Sequence, residues 1–144
     1  MIEITHKPID YTALTESVRG PGCGAVLLFL GTVRDRTAGR ETVALKYEAY
    51  PEMAVTKLRE LEVEARRRWT VGHIGIVHRV GHLEVGEISV AVAVGSPHRQ
   101  EAFEAGRYLI DTLKETVPIW KQEHWSDGST EWVHPGTQND GSSA

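Results

Sequence analysis

Hydrophobic and polar residues alternate along several segments of the chain, with the period of two that is typical of β-strands. Residues 25–33 are apolar at nearly every position, which predicts a strand covered on both faces. Residues 73–80 and 87–94 flank the turn-rich segment 81–86, and we expect them to pair antiparallel. The same pattern predicts further strands over residues 1–6, 43–50, 119–125 and 130–134.

Apolar residues repeat with helical spacing in three further segments. The first predicted helix spans residues 8–19 and the second spans residues 51–69. The third begins at Ser96 and Pro97 and ends before Pro118. The polar residues 34–41 are the predicted mobile loop of the domain. Helices and hairpins in this order predict an α+β fold, in which three helices pack on a mixed sheet.

The length and composition are those of one globular domain. A chain of 144 residues, 40% of them hydrophobic, predicts a single domain over residues 1–135 and a disordered polar tail over residues 136–144. Lys and Arg number 16 against 20 Asp and Glu, and the net charge of −4 argues against a general nucleic-acid binder. No apolar run approaches the ~20 residues of a membrane span, so we expect a cytoplasmic protein without membrane contact.

The sequence gives little indication of a metal site or of a catalytic cysteine. Cys23 is the one cysteine, which excludes an internal disulfide and a Cys-rich metal site, and its Gly/Pro-rich loop favours an inert thiol over a nucleophile. His78 and His82 have an H-x₃-H spacing, but it spans the end of a predicted strand and a turn instead of a helix. We therefore expect no metal site and no bound cofactor.

Basic residues stand at the ends of several predicted elements. Arg34 follows the apolar strand, His98 and Arg99 lie in the first turn of the third helix, and Lys114 and Lys121 lie near its end. Cations oppose the dipole at a helix N-terminus, so His98 and Arg99 do not serve helix stability there. With the free N–H groups of that turn they would bind an anion such as phosphate. The alternative is that they are solvated surface residues.

The spacing of the basic residues limits which of them can share a site. His98 and Lys114 are 16 residues apart on one predicted helix, hence roughly 24 Å apart at ~1.5 Å per residue. They cannot contact one small substrate within a single subunit. Either they serve different sites, or a symmetric dimer brings His98 and Arg99 of one protomer beside Lys114 and Lys121 of the other.

Six ordered motifs, spread over about residues 23 to 134, resemble one known family, the large catalytic subunit of molybdopterin synthase. Any one of these motifs alone is weak, and the ordered set is specific. The motifs are Gly31-Thr32-Val33-Arg34, Leu45-x-Tyr47-Glu48-x-Tyr50-Pro51-x-Met53-Ala54, Ala65-Arg66-x-Arg68-Trp69, Val77-His78-Arg79-x-Gly81-x-Leu83-x-x-Gly86-Glu87, Pro97-His98-Arg99-x-x-Ala102-Phe103-Glu104-Ala105 and Asp111-x-Leu113-Lys114-x-x-x-Pro118-x-Trp120-Lys121-x-Glu123.

The resemblance implies a sulfurtransferase of molybdenum cofactor biosynthesis. In the family, cyclic pyranopterin monophosphate receives two sulfurs and becomes the dithiolene of molybdopterin. The sulfur arrives as a thiocarboxylate on the C-terminal Gly-Gly of a small ubiquitin-like subunit. The implied assembly is a heterotetramer built on a homodimer of the large subunit. The implied fold is an α/β hammerhead with an additional antiparallel β subdomain.

The resemblance also implies roles for individual residues. Lys114 and Lys121 match two lysines of the pocket that receives the partner's tail, and we expect them to be catalytic. The positions expected to bind substrate are Arg34, Phe29, His98 and Arg99. Cations of this kind bind phosphate and stabilise negative charge that develops on oxygen during a reaction. The reaction also needs groups that donate and accept protons.

The chain departs from the family at two positions. Gly136 stands about where some relatives carry an arginine that reaches the neighbouring subunit, so the phosphate contact implied for that arginine is not carried over to this chain. Ile110 replaces a methionine, a tolerable apolar exchange. Two other functions remain open: a non-catalytic dimeric platform that binds a ubiquitin-like protein or a phosphorylated metabolite, and a cyclic-phosphate hydrolase that needs no sulfur donor.

Overall fold

The computed structural model describes residues 1–133. In this part of the chain, three helices and two sheets form an α+β fold, as predicted. The helices are α1 (Tyr11–Val18), α2 (Pro51–Arg68) and α3 (Arg99–Thr116). The strands are β1 (Ile2–Thr5), β2 (Ala25–Thr32), β3 (Arg36–Thr37), β4 (Arg40–Ala49), β5 (Ile74–Arg79), β6 (Gly81–Glu84), β7 (Ile88–Ser96), β8 (Ile119–Trp125) and β9 (Thr130–Val133). The predicted tail, Gly136 and the predicted domain boundary at residue 135 lie outside the described residues.

The first sheet has four strands in the order β1-β5-β7-β2. β1 pairs parallel with β5, whereas β5–β7 and β7–β2 pair antiparallel, which confirms the mixed sheet and the predicted β5–β7 pairing. One face packs against α2 and α3, where Ile74 and Ile76 meet Leu109 and Leu113 in the main core. The other face packs against α1 through Leu14 and its neighbours. Helices therefore cover both faces of this sheet.

β2 lies at the edge of the first sheet, and both of its faces are packed as predicted: Phe29 against the main core, and Leu28 and Leu30 against the cluster around Leu14. Most of its side chains are only partly buried, and Val26 is 39% exposed. Among the described residues only β7 pairs with β2, so the other edge of β2 is open and the cover of its two faces is incomplete. The apolar run of residues 25–33 therefore corresponds to an edge strand whose side chains are only partly covered.

The second sheet is the predicted antiparallel β subdomain. Its strands run in the order β3-β4-β8-β9, and β6 pairs with β4. Residues 34–41, predicted as a mobile loop, contain β3 and a tight turn with positive φ at Ala38 and Gly39. Residues 81–86, predicted as a turn between β5 and β7, instead contain β6, because Leu83 is buried opposite Leu45 of β4.

Two helices begin later than predicted. α1 begins at Tyr11 instead of residue 8, because the Asp10 side chain caps the helix by accepting a hydrogen bond from the Ala13 N–H at 2.9 Å. α3 begins at Arg99, with His98 as the N-cap residue. Ser96 remains in β7, because its carbonyl accepts the Gly24 N–H at 3.0 Å, so it continues the strand instead of capping the helix.

Candidate functional site

Lys114 lies in the last turn of α3, half-buried at the end of the main core. Burial and the positive charge of Arg34 hold its pKa below the ordinary lysine value, and Asp111 partly opposes the shift. A lysine in this state loses its proton more readily than a solvated one, which suits a group that donates and accepts protons.

Lys121 lies on β8 and is almost fully buried, with only 8% of its side chain exposed. Its Nζ is 3.5 Å from Oε1 of Glu123, two residues along the same face of the strand. Glu123 in turn accepts a hydrogen bond from the Thr42 hydroxyl at 3.2 Å. The hydroxyl oxygens of Thr37 and Thr42 are 3.1 Å apart. Because Thr42 donates to Glu123, the Thr37 hydroxyl is the donor to Thr42. The Nζ of Lys121 therefore lies beside a buried carboxyl group that Thr42 holds in place.

Tyr47 and His78 connect the two lysines. Tyr47 of β4 is the cross-strand partner of Lys121, so both side chains lie on the same face of the second sheet. The Tyr47 ring meets the His78 ring edge to face, with centroids 5.0 Å apart. Lys114 is close enough to His78 for its charge to lower the pKa of that imidazole. Lys114 and Lys121 therefore border one region, where the two sheets meet the end of α3.

The other predicted site residues divide between this region and the far end of α3. Arg34 is exposed just after β2, and its charge acts on Lys114. Phe29, on β2, is partly buried against the main core. His98 and Arg99 are exposed at the start of α3, the opposite end of the helix from Lys114. The single chain thus brings Arg34, Lys114 and Lys121 together and leaves His98 and Arg99 apart from them.

The sequence predicts no site role for Glu123 or His78. Both are buried beside predicted site residues, at 0% and 4% exposure respectively. A signal for His78 exists in the sequence, because it occupies the next alternate position after the core residues Ile74 and Ile76. Glu123 likewise falls two residues after Lys121 in a strand, which places both on one face.

The two histidines of the H-x₃-H spacing lie on different strands and in different surroundings. His78 is buried on β5, whereas His82 is exposed on β6, where its ring lies 5.9 Å from that of His124. Within residues 1–133, no three His, Cys, Asp or Glu side chains cluster closely enough to hold a metal ion. Cys23 is partly buried, and its thiol points to the Val18 carbonyl at 3.6 Å.

An aromatic groove of about 360 Å³ lies on the second sheet, lined by Glu48, Ala49, Tyr50, Trp120 and Trp132. Trp120 directly precedes Lys121 on β8, so their side chains point to opposite faces of the strand. The groove therefore lies on the other side of the sheet from the two lysines and contains none of the predicted site residues. The charged groups and the lowered pKa of Lys114 lie on the lysine side of the sheet, which is therefore the candidate site.

Within residues 1–133, none of the three helices is long and apolar enough to cross a membrane.

Comparison with known proteins identifies the family. Residues 4–116 match the model of the family described as MoaE protein. The molybdopterin synthase catalytic subunit of Halalkalibacterium halodurans is 45% identical over 130 residues, which cover 90% of this chain and 83% of the relative.

Solved structures show the same fold. A crystal structure described as molybdopterin synthase from Staphylococcus aureus has a TM-score of 0.87 and 41% identity, covering 92% of this chain and 96% of its own. A chain from a complex of subunits 1 and 2 of molybdopterin-converting factor from Helicobacter pylori has a TM-score of 0.74 at 20% identity, covering 95% and 91%, and shares the fold. The chain therefore belongs to the MoaE family, the family of the catalytic subunit of molybdopterin synthase.

Proposed function

We propose that this protein is the large subunit of a molybdopterin synthase, which transfers sulfur to cyclic pyranopterin monophosphate. The donor in this proposal is the C-terminal thiocarboxylate of a small ubiquitin-like subunit. Membership of the family supports the enzyme class. The observation that carries the chemistry is the convergence of Lys114, Lys121 and Arg34 on one region of the molecule.

The charges of this region suit the proposed reactants. The thiocarboxylate and the phosphate are both anions, and charge that develops on oxygen during acyl and phosphate chemistry is stabilised by fixed cations. Lys121 is such a cation, because Glu123 and the surrounding strands hold its ammonium in place. Arg34 is exposed and able to form paired hydrogen bonds to a phosphate.

Lys114 and Lys121 have different surroundings, and we assign them different roles. The pKa of Lys114 is lowered by burial and by Arg34, so Lys114 is the proposed general acid and base of the reaction. Lys121 has a carboxylate 3.5 Å away, which favours its charged form, so its proposed role is electrostatic. Phe29 is the proposed apolar contact to the substrate.

His98 and Arg99 complete the proposed site from a second protomer. They lie 16 and 15 residues before Lys114 on α3, which places them more than ~20 Å away at ~1.5 Å per residue. In a two-fold dimer, one protomer's His98 and Arg99 would bind the phosphate or pterin beside its partner's lysines. The small subunit would then insert its tail at each of the two shared sites.

Lysine variants test the proposed chemistry. We expect Lys114→Ala to reduce molybdopterin formation by about 100-fold or more, because it removes the proton-transfer group. Lys121→Ala should also reduce molybdopterin formation by about 100-fold or more, because it removes a cation that would stabilise charge developing on oxygen. The measurement is the amount of molybdopterin formed from cyclic pyranopterin monophosphate and thiocarboxylated small subunit, in a single turnover.

Lys57→Ala is the matched control, because Lys57 is an exposed lysine of α2 whose ion pair with Glu60 lies on the surface. Circular dichroism and thermal unfolding establish that each variant is folded. Full activity of folded Lys114→Ala would contradict its catalytic role. Turnover of the cyclic phosphate by the unmodified chain without a sulfur donor would favour a hydrolase instead. Binding of both partners without any product would favour a non-catalytic platform.

A further inference from the structure

His78 is a polar residue inside the main core. It occupies the alternate position after Ile74 and Ile76 on β5, on the face that packs against α2 and α3. Only 4% of its surface is exposed. Burying a polar ring costs free energy unless its nitrogens are hydrogen-bonded, so an apolar residue would serve core packing better at this position.

One hydrogen bond fixes the tautomer of His78. Its Nδ1 lies 2.8 Å from the Arg79 carbonyl oxygen. A carbonyl oxygen only accepts hydrogen bonds, so Nδ1 carries the proton and donates. In the neutral imidazole the lone pair is then on Nε2. Burial, opposed by this hydrogen bond and reinforced by the charge of Lys114, lowers the pKa of His78 to about 4.

Groups from three other elements face or approach the imidazole. Tyr47 of β4 contacts the ring edge to face, and Lys114 of α3 acts on it electrostatically. Lys121 of β8 is the cross-strand partner of Tyr47. Arg34, which follows β2, acts on Lys114. His78 is therefore linked to Lys114 electrostatically and to Lys121 through the Tyr47 ring.

At position 78, an uncharged imidazole has a different effect on Lys114 from a protonated histidine or a phenylalanine. A protonated histidine would add a further positive charge beside Lys114 and repel its ammonium. A phenylalanine would fill a similar volume but offer no lone pair, so the ammonium would be less well solvated. A neutral histidine near Lys114 adds a polar group to the core without adding a like charge.

We propose that His78 is a positioning residue of this site: its uncharged imidazole holds the Tyr47 ring in place and gives the Lys114 ammonium a polar neighbour inside the core. This inference rests on the proposed function of Lys114. In this proposal His78 acts on Lys114 through its contact with Tyr47 and through its electrostatic interaction with the ammonium, and it does not itself touch the substrate.

The first test uses the wild-type chain and nuclear magnetic resonance. The imidazole nitrogens of His78 should show the neutral tautomer with the proton on Nδ1, unchanged between pH 8 and about pH 5. A proton on Nε2, or titration of His78 above pH 6, would overturn the inference. This measurement needs neither substrate nor partner, and it does not depend on any variant folding.

The second test compares His78→Phe with His82→Phe. In His78→Phe the pKa of Lys114 should fall by about half a unit, a roughly threefold rise in its acid dissociation constant, because the polar neighbour is gone. The pH dependence of molybdopterin formation should move by the same amount. His78→Gln, which restores a polar group, should return the pKa of Lys114 toward its wild-type value. His82 is exposed on β6, so His82→Phe should leave it unchanged.

The outcomes separate this inference from the proposed function. An unchanged Lys114 pKa in folded His78→Phe, with sulfur transfer still dependent on Lys114, overturns the role of His78 alone. A shifted Lys114 pKa in His78→Phe, with full activity in Lys114→Ala, overturns the catalytic role of Lys114 alone.

Discussion

Lys121 and Glu123 bury opposite charges on one face of β8. Their side chains are 8% and 1% exposed, and their charged atoms lie 3.5 Å apart. Removing both charges from a buried pair is often tolerated, whereas removing one leaves the other without compensation. The pair therefore provides a buried carboxyl group beside Lys121, at a position where the proposed reaction needs a cation.

Glu123→Gln isolates the contribution of that counterion. The amide oxygen still accepts the Thr42 hydroxyl, but the charge opposite Lys121 is lost. We expect the free energy of unfolding to fall by about 3 kcal/mol in urea titrations, the lower end of the cost of breaking a buried pair.

Glu48→Gln is the control for this measurement. It breaks the Lys46–Glu48 pair, whose charged atoms are a similar 3.4 Å apart but whose side chains are 45% and 55% exposed. Exposed pairs contribute at most about 1 kcal/mol. Equal effects of the two substitutions would contradict the buried pair as the cause.

Residue chemistry was only partly predictable from the sequence. The ends of elements and the family motifs predict Arg34, Lys114 and Lys121 as site residues, and the lysine variants proposed above test that prediction. In the structure the charge of Arg34 acts on Lys114. Glu123 and His78 were missed as site residues, because their importance comes from burial beside those cations. Burial of this kind depends on how the two sheets meet, and spacing along the chain does not show it.

At the level of elements, close approach of backbones controls the packing of α1 on the first sheet. Gly95 of β7 lies against the end of α1, so a Cβ atom there would overlap the Val18 carbonyl and approach Cys23 Sγ at 3.0 Å. Neither the helix backbone nor the strand backbone moves freely, because the Gly95 N–H also donates to the His73 carbonyl at 3.0 Å.

Gly95→Ala is therefore expected to destabilise the fold, lowering the free energy of unfolding by about 2 kcal/mol as in other overpacked cores. Gly22→Ala is the matched control, because no atom lies within 4 Å of its added Cβ. Its effect should stay within about 0.5 kcal/mol. Chemical denaturation of both variants gives the comparison, and equal stability of the two would contradict close packing at Gly95.

Periodicity predicted most helices and strands, and it failed where tertiary pairing decided the outcome. The 18 residues of α2 follow the predicted range closely, because Ala54, Leu58, Leu61 and Ala65 form one buried stripe. β6 was missed, since four residues between two turns form a strand only when β4 lies beside them. The late start of α3 has the same cause, as pairing with β2 extends β7 through Ser96.

At the scale of the whole molecule, the proposed site requires two protomers. The apolar surface left by the single chain is consistent with an interface, because Phe103 of α3 is 62% exposed and β2 is an open sheet edge. A two-fold dimer would resolve the separation of His98 from Lys114 along α3, by placing residues from opposite ends of the helix in one shared pocket.

Complementation between subunits tests this central claim most directly. The measurement is molybdopterin formation by heterodimers that pair one His98→Ala chain with one Lys114→Ala chain, isolated through two different affinity tags. Each homodimeric variant should be nearly inactive. A shared site leaves one of the two pockets in the heterodimer intact, so we predict about half of the wild-type activity. A heterodimer as inactive as its parents, or a failure to isolate any heterodimer, would contradict the account.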